Sequence, residues 1–226
     1  MTRTLPILHR DDPDKPPLPG QTKVTREDWL AQARDILVSD GAGEVKIARI
    51  GQRLGVSRSS FYWYFKNLDD LLQALLEEWS IGNTQVILRH CALPAATITA
   101  AVCNFFRCFI DPALFDPSLD FAVREWARRD DAVRARIDAA DQARLHAIRE
   151  MFERFGTPAD EADIRARILY FMQLGYHALD QRETLEERFS RVEGFLKGFT
   201  GHSPSPEELA DLMAFARRTT SHPPGT

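Results

Sequence analysis

The sequence predicts an all-α fold: a small three-helix head followed by a larger body of further helices. Three observations lead there. Residues Lys46 to Asn67 read as two short helices joined by a tight turn. Elsewhere apolar residues recur at spacings of three and four, the period of a helix with one buried face. No run alternates apolar and polar residues long enough to make a strand.

Residues 1–22 carry Pro6, Pro13, Pro16, Pro17 and Pro19 without periodicity and read as a flexible arm. Its Arg3, Arg10 and Lys15 are offset by Asp11, Asp12 and Asp14, which argues against a minor-groove role. The head spans 23–69. A first helix starts near Thr25, with Trp29, Ala33, Ile36 and Leu37 on one face, and Gly41 and Gly43 break it. Ile47, Ile50 and Leu54 then fall at i, i+3 and i+7. Gly55 ends that helix, because glycine accepts the left-handed conformation of a C-terminal cap. Val56 supplies an apolar residue in the turn, and Ser57 caps the next helix by accepting a backbone hydrogen bond. Phe61 and Phe65, four apart, face inward, which leaves Arg58, Ser59, Ser60, Tyr62, Trp63 and Tyr64 outward. A solvated helix normally shows Glu and Lys on its free face. Arg, Ser and aromatics instead suit the edges and backbone of a DNA groove, so residues 46–65 read as a helix-turn-helix. Lys46 and Arg49 begin the supporting helix, where free N–H groups also favour a phosphate, and Lys66 follows the recognition helix.

The run GVSRSSFYWYFKN, followed at once by LDDLLQALLEEW, resembles the TetR family of bacterial transcription regulators. Gly-Val-Ser stands at the turn, Phe-Tyr-x-Tyr-Phe-Lys closes the recognition helix, and an acidic-leucine start opens a long fourth helix. The resemblance covers roughly Thr25 to Trp79. It implies a homodimer on a palindromic double-stranded DNA operator, released by an unidentified small-molecule effector and acting more often as repressor than activator. Two positions depart from the family pattern. Gly51 replaces the usual Ala, which costs ~1 kcal/mol inside a helix. Leu68 replaces a frequent phosphate-binding Lys or Arg.

Charge distribution agrees with this reading. The chain carries a formal net charge of −4, yet residues 23–69 hold 8 basic against 6 acidic side chains. Between Lys46 and Lys66 no acidic residue interrupts the basic ones, as expected of a phosphate-binding surface. The 3 cysteines, Cys91, Cys103 and Cys108, form no disulfide framework, and no apolar run suits a membrane span or signal core. A reduced, cytoplasmic protein without membrane association is expected.

The body, residues 70–226, continues the helices. Asn67 caps a helix through Leu71, Leu72, Leu75, Leu76 and Trp79. Ile98, Val102, Phe105 and Phe109 mark another; Asp111-Pro112 and Asp116-Pro117 break the chain before a stripe of Leu119, Ala122, Val123 and Trp126. Ile137, Leu145, Ile148, Phe152 and Phe155 follow, stopped by Gly156. Thr157-Pro158 opens the next helix, with Thr as cap and Pro at its first position. Between Ile164 and Leu179 two stripes run side by side: Ile164, Ile168, Phe171, Gly175 and Leu179, and Leu169, Met172 and Tyr176. A helix apolar nearly all round must be covered on both sides. Thr184 and Glu187 form a capping box for a helix through Leu185, Phe189, Val192, Leu196 and Phe199. Its 4, 3, 4, 3 spacing is that of two helices packed at a shallow angle. These two helices are expected to form the dimer surface, through Ile168, Met172, Tyr176, Phe189, Val192 and Leu196. Ser205-Pro206-Glu207-Glu208 starts one further helix.

Aromatic and polar side chains in the body mark a candidate effector pocket of Cys103, Phe106, Phe109, Trp126, Tyr170 and His177. No phosphate loop, nucleophile elbow or zinc-protease helix occurs, so no catalytic residue, metal ligand or cofactor is assigned. Cys103 and Cys108 lie about 140° apart around a helix, poorly placed for a shared metal or disulfide. The competing class is a helical ligand carrier or enzyme with a vestigial helix-turn-helix.

Overall fold

The computed structural model describes residues 23–179, 181 and 183–220; the arm assigned to residues 1–22 lies outside them. Every regular element described is helical. In order these are α1 (Arg26–Asp40), α2 (Ile47–Leu54), α3 (Arg58–Phe61), α4 (Leu68–Trp79), α5 (Gln85–Ala92), α6 (Ile98–Ile110), α7 (Pro117–Trp126), α8 (Asp131–Glu153), α9 (Ala159–Ala178), α10 (Leu185–Phe189), α11 (Val192–Thr200) and α12 (Pro206–Thr220). None of the described helices is long and apolar enough to cross a membrane. The chain divides into two compact units: the residues up to Trp79 with Ser118–Asp131, and Ser80–Pro117 with Ala132 onward.

In the first unit, α1 begins at a reciprocal capping box. Thr25 accepts from the Asp28 N–H while Asp28 accepts from the Thr25 N–H, which satisfies two donors the helix leaves open. Trp29, Ala33, Ile36 and Leu37 are all buried, as their spacing predicts. Gly41 ends the helix at φ 86°, and Gly55 ends α2 at φ 68°, a conformation that L side chains rarely adopt. Trp29 meets Phe61 edge-on at 5.2 Å and Phe61 stacks on Phe65 at 5.4 Å, so three aromatics pin α1 against the recognition segment. Gly51 has a packing reason to stand where the family has Ala. A Cβ there would lie 3.2 Å from the Val56 carbonyl oxygen and 3.5 Å from the Trp29 ring. Asn67 caps α4, accepting from the Asp70 N–H at 2.9 Å. Further on, the buried Asp120 carboxylate accepts from Trp79 Nε1 at 2.8 Å and Arg124 Nε at 2.9 Å, tying α7 to α4.

In the second unit a π-helical turn, Ser80–Thr84, leads into α5, a helix the sequence reading did not identify. Arg144 of α8 is fully buried, and its guanidinium donates to Thr84 Oγ1 at 2.9 Å and to the Tyr170 hydroxyl at 3.0 Å. Tyr170 in turn donates to Asp141 at 2.6 Å, closing a network that holds this turn, α8 and α9 together. The start of α9 is one residue later than expected: Pro158 occupies the cap position and no side chain caps it.

The expected long helix from Leu185 is two helices. Thr184 and Glu187 do form the capping box, but α10 ends at Phe189. There the Ser190 hydroxyl donates to the Glu187 carbonyl at 2.7 Å, a local bond that competes with helix continuation, before α11 resumes at Val192. Helix α12 packs on α6. Its Leu212 and Ala216 are buried, Arg107 lies 5.5 Å over the Phe215 ring, and Arg107 also pairs with Asp211. Glu208 joins the Ser205 capping box to Thr99 at 2.9 Å and to Thr97.

Candidate nucleic-acid interface and ligand cavity

The α2–turn–α3 segment places its side chains by a simple rule: what the head core does not need faces out. Phe61 and Phe65 are 0% and 2% exposed, whereas Tyr62 and Trp63 are 61% and 39% exposed. Arg58, Ser59 and Lys66 are exposed beside them. Burying two large aromatics is worth several kcal/mol, so their exposure on a well-packed head points to a partner surface.

Three details differ from expectation. The recognition helix keeps a single α turn, Arg58–Phe61. Beyond it Tyr62, Trp63 and Tyr64 donate to carbonyls three residues back, a tighter winding. Ser57 holds the cap position but makes no side-chain capping bond; its hydroxyl meets that of Ser59 at 2.7 Å. Ser60 does not face outward: it is 4% exposed, because its hydroxyl turns back to the Ser57 carbonyl at 2.8 Å. Tyr64 is half-buried, donating to the Val24 carbonyl at 2.7 Å, and burial with the carboxylates of Asp28 and Glu27 pushes its phenol up. It braces the head and is not an outward contact.

The basic side chains split into two groups. Lys46 pairs with Glu44 at 3.0 Å; Arg49 reaches Asp40 at 2.9 Å and Glu44 at 3.2 Å; Arg53 lies 3.8 Å from Asp40. Hydrogen bonds from Ser39 and then Arg49 hold the Asp40 carboxyl below its ordinary value, against the opposing effect of burial. The acid-free interval in sequence is therefore not acid-free in space, since the turn after α1 brings Asp40 and Glu44 over α2. Arg58 and Lys66 make no ion pair among the described residues.

The second unit holds a half-open cavity of about 80 Å³. Phe106, Phe109 and Ile110 of α6 form one wall, and Met172, Gln173, Tyr176 and His177 of α9 another. Arg188, Phe189, Val192 and Phe195 of α10 and α11 close it, with Leu212 of α12. Phe109 is held rigidly, with Phe115 at 4.7 Å, Phe105 at 5.0 Å and His177 at 5.7 Å. Gln173 Nε2 and His177 Nε2 lie 2.7 Å apart. The Tyr176 hydroxyl donates to Glu183 and accepts from Arg188 Nε at 3.2 Å. Burial first, then Glu183, pushes the Tyr176 phenol up.

Of the expected pocket residues, Phe106, Phe109 and His177 line the cavity. Cys103 does not: it is buried in the core, and burial pushes its thiol up to about 12. Tyr170 is occupied by Arg144 and Asp141. Trp126 belongs to the other unit. Four residues expected at a dimer surface, Met172, Tyr176, Phe189 and Val192, turn into the cavity, and Leu196 is fully buried in its own core. What remains outward on α9 is Ile164, Ile168, Phe171 and Leu179, 53–70% exposed. Gln173 and Arg188 were missed as pocket residues; Gln173 and His177, four apart on a largely apolar helix, were the available signal.

Residues 30–75 match the profile described as bacterial regulatory proteins, tetR family. No curated protein matches the sequence closely enough to count as a relative. Among solved structures, AmtR of Mycobacterium smegmatis superposes with a TM-score of 0.56 at 21% identity, over 93% of this chain and 100% of that one. GusR of Salmonella enterica gives 0.53 at 14% identity, covering 89% of this chain and 100% of the other. A tetR-family transcriptional regulator from Streptomyces coelicolor gives 0.53 at 17%, over 88% and 89%. At these identities the likeness is one of fold.

Proposed function

We propose that this chain, whose helix-turn-helix head is of the TetR family of bacterial regulators, is a ligand-responsive repressor that grips a palindromic operator as a homodimer. The observation that carries the DNA reading is the outward pair Tyr62 and Trp63 beside the exposed Arg58, on a turn whose other face is fully packed. In the assigned roles Arg58 contacts a base, best guanine, whose O6 and N7 match its planar fork. Tyr62 and Trp63 pack on sugar, phosphate or thymine methyl groups, and Ser59 and Lys66 hold the backbone. Lys46 and Arg49 reach phosphate only by exchanging their Glu44 and Asp40 partners for it.

Support for the dimer comes from the α9 stripe. Ile164, Ile168, Phe171 and Leu179 recur at i, i+4, i+7 and i+15, giving one continuous apolar edge. Two copies related by a two-fold axis would bury this edge on itself and present two heads to half-sites about 34–36 Å apart, or a multiple. Support for a ligand comes from the aromatic cavity. A molecule that favours one arrangement of the body would alter the separation of the heads, and a tenfold loss of DNA affinity needs about 1.4 kcal/mol of coupling. Selection of random double-stranded DNA with the purified protein tests the proposal. An enriched palindrome is expected, and enrichment of no sequence would turn the assignment toward a ligand carrier.

A further inference from the structure

We infer that the body cavity takes an organic monoanion: an apolar group carrying a single carboxylate, anchored by Arg188. The inference rests on the reading of the cavity as an effector site and names the chemistry of its occupant. Its starting point is a guanidinium that no described carboxylate pairs with directly. Among the described lining residues Arg188 is the one basic side chain of fixed charge, and apart from Gln173 and His177 the others are aromatic or aliphatic. Its guanidinium lies 4.9 Å over the Tyr176 ring, and its Nε is spent on the Tyr176 hydroxyl. No carboxylate among the described residues lies within ion-pair distance of it.

The nearby acids are already engaged. Glu183 accepts from Tyr176 and pairs with Arg191, and both bonds hold its carboxyl below the ordinary value. Glu187 closes the capping box, accepting from the Thr184 N–H at 2.8 Å and hydroxyl at 2.9 Å. Arg188 also acts on Glu183 through space but forms no ion pair with it, so its planar Nη edge can face a ligand carboxylate.

A guanidinium half-withdrawn from water against apolar walls gains most from a carboxylate, whose two oxygens match its fork. A cationic ligand would be repelled. The rest of the ligand is set by the walls: Phe106, Phe109, Phe189 and Val192 offer no hydrogen bond, so it is apolar. Gln173 and His177 stand on the adjoining α9 face, where a ring hydroxyl would find them.

Calorimetric titration of the full-length protein tests this with benzoate, phenylacetate and cyclohexanecarboxylate, each against its neutral amide. At least one acid should bind tenfold or more tightly than its amide. Arg188→Gln should abolish that preference while leaving the amide's affinity in place, and Arg188→Lys should restore part of it. Val192→Trp, which fills the cavity, should remove binding of both. Equal affinity of acid and amide, no binding by any acid, an acid preference that survives Arg188→Gln, or binding that survives Val192→Trp would each overturn the assignment. The DNA selection above does not involve the cavity, so a protein that enriches a palindrome yet ignores these acids refutes only the ligand class. One that prefers the acids but enriches no DNA refutes only the regulator.

Discussion

The two units use aromatic side chains in opposite ways. In the head, Trp29, Phe61 and Phe65 are packed to near-complete burial while Tyr62 and Trp63 stand in solvent. In the body, Phe106, Phe109, Phe189 and Phe195 line a cavity, and the exposed apolar side chains include the mostly aliphatic row Ile164, Ile168, Phe171 and Leu179 along α9. An exposed aromatic on a rigid turn suits a polar, grooved partner that offers stacking faces and methyl groups. A half-open aromatic cavity suits a small molecule, and an outward aliphatic edge suits a second copy. Where the backbone aims each ring separates the two uses.

That sorting can be broken at several points. Trp29→Ala should have the largest effect, about 3–5 kcal/mol, because the ring fills the centre of the head core. Thermal unfolding should then show the head melting first, with ligand binding by the body retained; loss of both together would mean the units do not fold as separate cores. Next comes the α9 edge. Ile168→Glu with Phe171→Glu places two charges where a partner's apolar edge is expected, and light scattering should report a monomer with operator affinity at least tenfold weaker. A stable dimer would place the interface elsewhere.

Smaller effects sharpen the contrast. Burial pushes the Glu208 carboxyl up, but hydrogen bonds from Thr97, the Ser205 N–H and Thr99 outweigh it and leave it below its ordinary 4.5. The stabilisation from a depressed carboxyl is present above 4.5 and disappears as pH falls through the folded-state value. Hydrogen exchange of α12 should accelerate in that acid range, and Glu208→Gln should remove the pH dependence. Gly51→Ala should change stability by less than about 1 kcal/mol, since the helix-propensity gain opposes the 3.2 Å approach to the Val56 carbonyl. Chemical denaturation measures the balance.

The head was legible in sequence because its signals are local. The capping residues, Gly55, and the four-residue spacing of Phe61 and Phe65 each act within one or two turns. Where the reading of the head failed, one cause was a distant contact, Tyr64 reaching back to Val24, and the others were short-range: Ser60 turns to the Ser57 carbonyl, and Asp40 and Glu44 fold onto Arg49. The body was legible as helices but not as surfaces. Periodicity shows that Met172, Tyr176, Phe189 and Val192 are apolar faces, but whether such a face meets a partner or a cavity depends on which helices pack against it, which local spacing does not encode. Arg144 sits in the stripe of Ile137, Ala140 and Ile148, a buried arginine whose partners Thr84 and Tyr170 lie 60 and 26 residues away.

The central claim is that the exposed face of α3 reads DNA sequence. Its most direct test is the ratio of specific to random-DNA affinity, measured at one salt concentration for the wild type and Arg58→Ala. Loss of one bidentate base contact should lower that ratio by about 1–3 kcal/mol, roughly 5- to 160-fold, while random-DNA affinity changes little. An unchanged ratio in the variant would contradict the account.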